Sequence, residues 1–259
     1  MIIISATGNP KIKAAVRLRE SKRERDERSE FFLEGARLCA DAAMSGEIIK
    51  TAFFTEAARS RYPEAIDIIS RSAGECCLIT DDIALKLADV RSPQGVFCVC
   101  AAKDCASKVS IDASGRYIAF ENLQNPGNLG AAARTAEAFG ITGMIVCGGA
   151  DIYNPKAQRA AMGALLRLEI IKTDDLASLL EDASRKGMST YAAVPGGDAV
   201  PVTDMVSGGM IAVVGNEGAG LSEEIISACR YRLTIPMRGR AESLNAAEAA
   251  AVIMWEMTR

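Results

Sequence analysis

Residues 211–256 constrain the fold of this chain more than any other stretch. An apolar run at 211–214 meets the loop Gly215-Asn216-Glu217-Gly218-Ala219-Gly220-Leu221. A second apolar run, Leu233-Thr234-Ile235, leads through Pro236-Met237-Arg238-Gly239-Arg240 to Glu242-Ser243-Leu244-Asn245 and a long Ala-rich segment with a helical pattern. Two strands that each end in a glycine-containing loop, each followed by a helix, gather backbone N–H groups and helix N-termini around one hollow at the strand ends. Open α/β sheets hold small ligands in such places. That hollow is the expected cofactor site, and the rest of the chain is expected to bring a substrate to it.

Upstream of this stretch the pattern is the same. A strand at 117–120 is followed by the loop Glu121-Asn122-Leu123-Gln124-Asn125-Pro126-Gly127-Asn128-Leu129-Gly130 and a helix closed by Gly140. Strands at 144–147, 168–171 and 190–194 then alternate with helices starting at Asn154-Pro155 and running over 174–186, which predicts a parallel α/β sheet. Before it, short apolar runs at 31–33, 51–54, 77–80 and 95–101 alternate with amphipathic stretches at 35–44, 64–72 and 82–88, the pattern of a smaller α/β domain. A length of 259 residues accommodates both. The expected domains are 1–105 and 112–259, with the polar, weakly periodic stretch 103–115 as linker.

Several classes of chemistry are excluded by what is missing. The chain has no histidine, which removes Ser-His-Asp and Cys-His devices and the commonest general base. Its eight cysteines form no C-x-x-C pair, so no metal set is expected, and Cys98, Cys100 and Cys147 lie inside apolar runs as small hydrophobes. The N-terminus lacks a signal peptide pattern and no window holds 18 apolar residues in a row, which predicts a cytoplasmic protein.

A net charge of −3 offers no global attraction to nucleic acid, so any such contact must be local. Residues 11–28 carry eight basic and four acidic side chains after an Asn9-Pro10 helix start. Interleaved signs of this kind suit either a solvated helix face or an RNA-contacting arm.

Three loops carry polar groups that could act chemically. Asn128 and Arg134 lie on the helix after the first glycine loop, where both could face a ligand at its N-terminus. Glu223 and Glu224, in the first turn after the 215–220 loop, would repel a pyrophosphate, so a nicotinamide cofactor is disfavoured. Ser243 reads as the N-cap of the last helix, with Asn245 inside the first turn and aimed into the hollow.

FENLQNPGNLGAAARTAEAFG at 120–140, VVGNEGAGLS at 213–222 and IPMRGRAESLNAAEAAAVIMWE at 235–256 resemble the three motifs of the SpoU, or TrmH, group of RNA 2′-O-ribose methyltransferases, in the SPOUT superfamily. Arg91-Ser92-Pro93-Gln94-Gly95-Val96, Asn9-Pro10 and Glu34-Gly35 are similar to the N-terminal substrate-binding domain of that group. The resemblance implies a C-terminal parallel sheet with a deep trefoil knot and an N-terminal α/β domain resembling a ribosomal-protein fold. Such a chain would bind S-adenosylmethionine and act on RNA, most naturally ribosomal RNA, as a homodimer formed through the C-terminal domain. Carried over by motif position, the cofactor contacts fall at Gly215, Asn216, Gly220, Ile235, Met237 and Leu244. The catalytic set falls at Asn128, Arg134, Glu217, Ser243 and Asn245, with Arg134 and Asn128 of one subunit near the cofactor of the other. Two departures stand out: Ala161, where the group often has serine, and Glu248, where an apolar residue is more usual.

A guanidinium with a pKa above about 12 is a poor base, so Arg134 is better suited to clamping a phosphate, leaving Glu217, Ser243 or water to take the proton. A transfer RNA substrate, and a noncatalytic RNA-binding protein that keeps the fold, remain as alternatives.

Overall fold

In the computed structural model, residues 1–105, 111–196 and 198–259 are described. The expected linker at 103–115 therefore lies partly, at 106–110, outside the described residues. No described helix is long and apolar enough to cross a membrane.

The N-terminal elements are β1 (Ile2–Ile4), α1 (Pro10–Glu20), α2 (Lys22–Arg28), β2 (Glu30–Glu34), α3 (Ala36–Met44), β3 (Ile49–Phe54), α4 (Glu56–Arg61), α5 (Pro63–Ser72), β4 (Glu75–Ile79), α6 (Asp81–Leu87) and β5 (Val96–Ala101). Their strands form a mixed sheet of order β1-β4-β3-β5-β2, in which β5 runs antiparallel to both neighbours. Local signals set the helices. Asn9 caps α1 by accepting from Lys11 N at 2.9 Å, with Pro10 next. Ser21 ends α1 and caps α2, splitting the expected basic helix into two.

Charges on those helices are largely spent locally. Arg23 pairs with Glu27, Arg28 with Glu24, Arg19 with Glu20 and Lys11 with Glu75. Arg25 is buried, 2.7 Å from Asp151 and donating to Leu18 O. The core joins Ile12, Leu18, Phe32, Phe53, Ile83 and Phe97, and Cys98 and Cys100 are fully buried beside it.

The remaining elements are β6 (Arg116–Glu121), α7 (Pro126–Ala138), β7 (Gly143–Cys147), α8 (Pro155–Ala161), α9 (Ala164–Arg167), β8 (Glu169–Lys172), α10 (Leu176–Arg185), β9 (Ser189–Ala193), β10 (Val200–Pro201), β11 (Met210–Val214), α11 (Glu223–Ala228), β12 (Tyr231–Thr234) and α12 (Ala246–Thr258). Seven strands form an all-parallel sheet of order β10-β12-β9-β11-β6-β7-β8. Every residue of β11 is buried, as expected for a central strand covered on both faces, and this explains its uninterrupted apolar run.

Contacts divide the chain into two compact units: Met1–Lys103 with Asp151–Leu166, and Asp104–Ala150 with Arg167–Arg259. The expected boundary does not include the excursion at Asp151–Leu166. Within the first unit, Phe31 stacks on Tyr153 at 4.6 Å and Arg159 pairs with Asp89. Burial pushes the carboxyl of nearby Glu34 above its usual range, although Asp89 N donates to it.

Candidate active site

In the second unit, β9, β11 and β12 lie side by side and parallel, so the loops that follow them emerge at one edge of the sheet. These loops, closed by the first turns of α12, enclose a cavity of about 700 Å³. Its lining includes Gly215, Asn216, Glu217, Gly220, Ile235, Met237, Ser243 and Leu244. The structure thus brings together every residue expected to bind a cofactor, and two of those expected to act chemically.

The hairpin after β11 is rigid by construction. Asn216 and Gly220 exchange backbone hydrogen bonds at 3.0 Å in both directions. The Asn216 side chain accepts from Gly218 N and Ala219 N and donates to Asn122 O, so the amide is engaged through both its oxygen and its nitrogen. A Cβ on Gly215 would lie 2.3 Å from the Gly220 carbonyl carbon, so only glycine fits there. Gly220 has φ +71°, the left-handed region that glycine enters without strain.

Glu217 ties this hairpin to the start of α7. Its carboxylate accepts from Gln124 N at 3.1 Å, Asn125 N at 3.2 Å and Asn128 Nδ2 at 3.0 Å. Asn245 Nδ2 in turn donates to Asn128 Oδ1 at 3.3 Å, so Glu217, Asn128 and Asn245 form one chain of hydrogen bonds. Partial burial pushes the Glu217 carboxyl up, but the bonds from its own backbone N–H, Gln124, Asn128 and Asn125 outweigh it. The group is held below the usual carboxylate range. A carboxylate so occupied is a weaker base than a free one, which counts against Glu217 as the proton acceptor expected from the sequence.

Another expectation is reversed at α12. Asn245, not Ser243, is the N-cap: it accepts from Ala247 N at 2.8 Å, and the helix starts at Ala246. Pattern alone could not separate two small polar residues two positions apart before an Ala-rich run. Ser243 is exposed, lines the cavity and has no hydrogen bond among the described residues. Glu248 is exposed in the first turn of α12, where a carboxylate suits the helix dipole, so its departure from an apolar residue costs nothing locally.

Arg134 stands on α7 with an exposed side chain, has no partner among the described residues, and does not line the cavity of its own chain. The sequence reading missed the loop after β9, where Val194, Pro195 and Gly196 line the cavity and Gly196 N donates to Thr234 Oγ1 at 3.2 Å. Proline and glycine directly after a predicted strand were the available signal. Also missed were the N–H groups of Gln124 and Asn125, which leave no trace in residue type.

Residues 115–255 match the SpoU rRNA Methylase family, and residues 9–98 match the MRM3-like substrate binding domain. The 23S rRNA (guanosine(2553)-2′-O)-methyltransferase RlmP of Bacillus subtilis is 27% identical over 98% of this chain and 98% of its own. The 23S rRNA (uridine(2479)-2′-O)-methyltransferase of Streptomyces viridochromogenes is 28% identical over 92% of this chain and 86% of its own. A crystal structure of an AdoMet-bound rRNA methyltransferase from Sinorhizobium meliloti superposes with a TM-score of 0.85 at 26% identity, covering 98% of this chain and 96% of that one.

Proposed function

The chain belongs to the SpoU rRNA Methylase family, and we propose that it is an S-adenosylmethionine-dependent enzyme that methylates a ribose 2′-hydroxyl in ribosomal RNA. One observation carries the reading: the loops that bear two of the family's motifs meet around a single cavity at the strand ends, and the third motif is tied to it through Glu217. The residues present fit the cofactor. A volume of about 700 Å³ is in the range of small-molecule sites. Walls from Val214, Leu233, Ile235, Leu244 and Ile253 suit an adenine ring and an aliphatic chain, while side-chain-free Gly215, Gly218 and Gly220 let a ligand approach the backbone closely. Gly215, Asn216, Gly220, Ile235, Met237 and Leu244 would hold it. When bound, S-adenosylmethionine supplies a sulfonium-activated methyl carbon.

The chain's own task is then positioning, the term that dominates when the electrophile is already activated. Glu217, Asn128 and Asn245 hold the α7 loop, the β11 hairpin and the α12 N-terminus in one register. The free hydroxyl of Ser243 orients the ribose oxygen and passes its proton to water. Arg134 clamps the adjoining phosphate bidentately and favours the developing alkoxide.

Arg134 acts across a homodimer in this reading. Its absence from the lining of its own cavity supports that arrangement, as does the face where α7 meets α12. There Trp255 is 54% exposed and rests edge-on against Phe139. The trefoil knot implied by the resemblance belongs to the same reading, and the placement of β11 and β12 on either side of β9 supports it. The N-terminal unit, by its match to a substrate-binding domain, would dock the RNA.

Calorimetry with S-adenosylmethionine, and mass mapping of ribose methylation in ribosomal RNA from cells with and without the protein, test the assignment. Saturable binding and one lost 2′-O-methyl mark are expected; an unchanged methylation map overturns it. Mixing Arg134→Lys with Gly215→Ala protein tests the dimer, because statistical pairing of two inactive forms should restore about a quarter of wild-type turnover.

A further inference from the structure

We propose that Arg238 and Arg240 form a phosphate-holding lip outside the cavity and position the RNA strand that flanks the methylated nucleotide. The inference rests on the reading of the cavity as the site of methyl transfer. The lining follows Ile235, Pro236 and Met237, skips 238–240 and resumes at Ala241. Arg238, Gly239 and Arg240 are all exposed, and a Cβ added to Gly239 would meet nothing within 4 Å. The chain therefore leaves the cavity wall between two segments that form it, and carries two exposed arginines on that short stretch.

Neither guanidinium has a partner among the described residues. That sets them apart from Arg23, Arg28, Arg59, Arg71 and Arg185, each paired with a carboxylate three or four residues away. In a chain with a net charge of −3, unspent positive charge at this rim is a local device. A nucleotide whose 2′-oxygen enters the cavity must leave its flanking phosphates outside. Two positions along a chain span at most about 7 Å, and the bend at 239–240 shortens this, which leaves both arginines within reach of successive phosphates. Arginine also reads phosphate in bidentate geometry. The cofactor's carboxylate is the competing anion, and the exposure of both arginines and their absence from the cavity lining argue against it.

The test uses full-length protein carrying Arg238→Ala with Arg240→Ala, the same pair changed to lysine, and an unmodified 23S ribosomal RNA transcript as probe. For the alanine pair, KM for RNA should rise about tenfold while kcat stays within about twofold. The slope of log binding constant against log salt should fall by about 1.4 to 1.8, the loss of two phosphate contacts. Lysine should restore most of the salt slope and only part of KM. Unchanged RNA binding and salt slope overturn the proposal, as does weakened S-adenosylmethionine binding with RNA binding intact. Failure of the broader reading looks different, since wild-type protein would then methylate nothing.

Discussion

The hairpin after β11 and the loop after β12 border one cavity, yet they differ in how far their polar groups are satisfied. In the first, the Asn216 amide, the Glu217 carboxylate and the backbone of Asn216 and Gly220 all find partners within the chain. In the second, Arg238, Arg240 and Ser243 find none among the described residues. A site with its cofactor side satisfied and its substrate side unspent is organised for a cofactor that is held the same way each time and a substrate that supplies its own partners. Preorganisation on one side lowers the ordering cost of binding, and free groups on the other keep interactions in reserve for the RNA.

The comparison breaks first at Gly215. Gly215→Ala should abolish measurable S-adenosylmethionine binding and activity, and destabilise the fold by about 3 kcal/mol, because a methyl group there meets Gly220 backbone at 2.3 Å. Calorimetry and thermal melts would show it, and normal binding would mean the hairpin is not rigid. Arg134→Lys comes next: kcat should fall about a hundredfold with cofactor binding kept, read by single-turnover kinetics. Near-normal turnover would remove Arg134 from the chemistry.

Glu217→Gln sharpens the contrast by loosening the satisfied side. An amide in place of the carboxylate turns an NH₂ toward donors from Gln124, Asn125 or Asn128, and turnover should drop about tenfold. The pH dependence has a definite sign. The folded carboxyl titrates below its unfolded value, so its stabilising contacts are complete above about pH 4.3 and are lost as pH falls through the depressed value. Wild-type melts should exceed those of Glu217→Gln near neutrality and converge with them in acid. A gap that persists in acid would show that shape and not charge matters. Ser243→Ala, on the unsatisfied side, should have the smallest effect, about fivefold on kcat, without change in melting temperature.

Much of this architecture was legible in residue pattern. Asn-Pro signals placed the starts of α1 and α8, and the apolar runs placed the central strands. The glycine loops pointed to the right edge of the sheet. What pattern could not supply was the division of labour among polar residues. Asn245 and Ser243 look alike as caps until the backbone shows which one accepts from Ala247. Glu217 looks like a base until the N–H groups of Gln124 and Asn125 are found on it, because backbone donors carry no signature in residue type. Arg25 sits in a run of surface arginines, and its burial depends on a partner 126 positions away.

That distant partner affects how the protein is made. On the ribosome, the first hundred residues emerge with Arg25 lacking its carboxylate and Phe31 lacking Tyr153, both of which arrive only with the excursion at Asp151–Leu166. An arginine left buried without its counter-charge costs about 3 to 5 kcal/mol. The early portion must therefore wait, incompletely folded, until well over half of the polypeptide has been synthesised. A truncated product ending near residue 105 should be a poor folder and an early target for proteolysis.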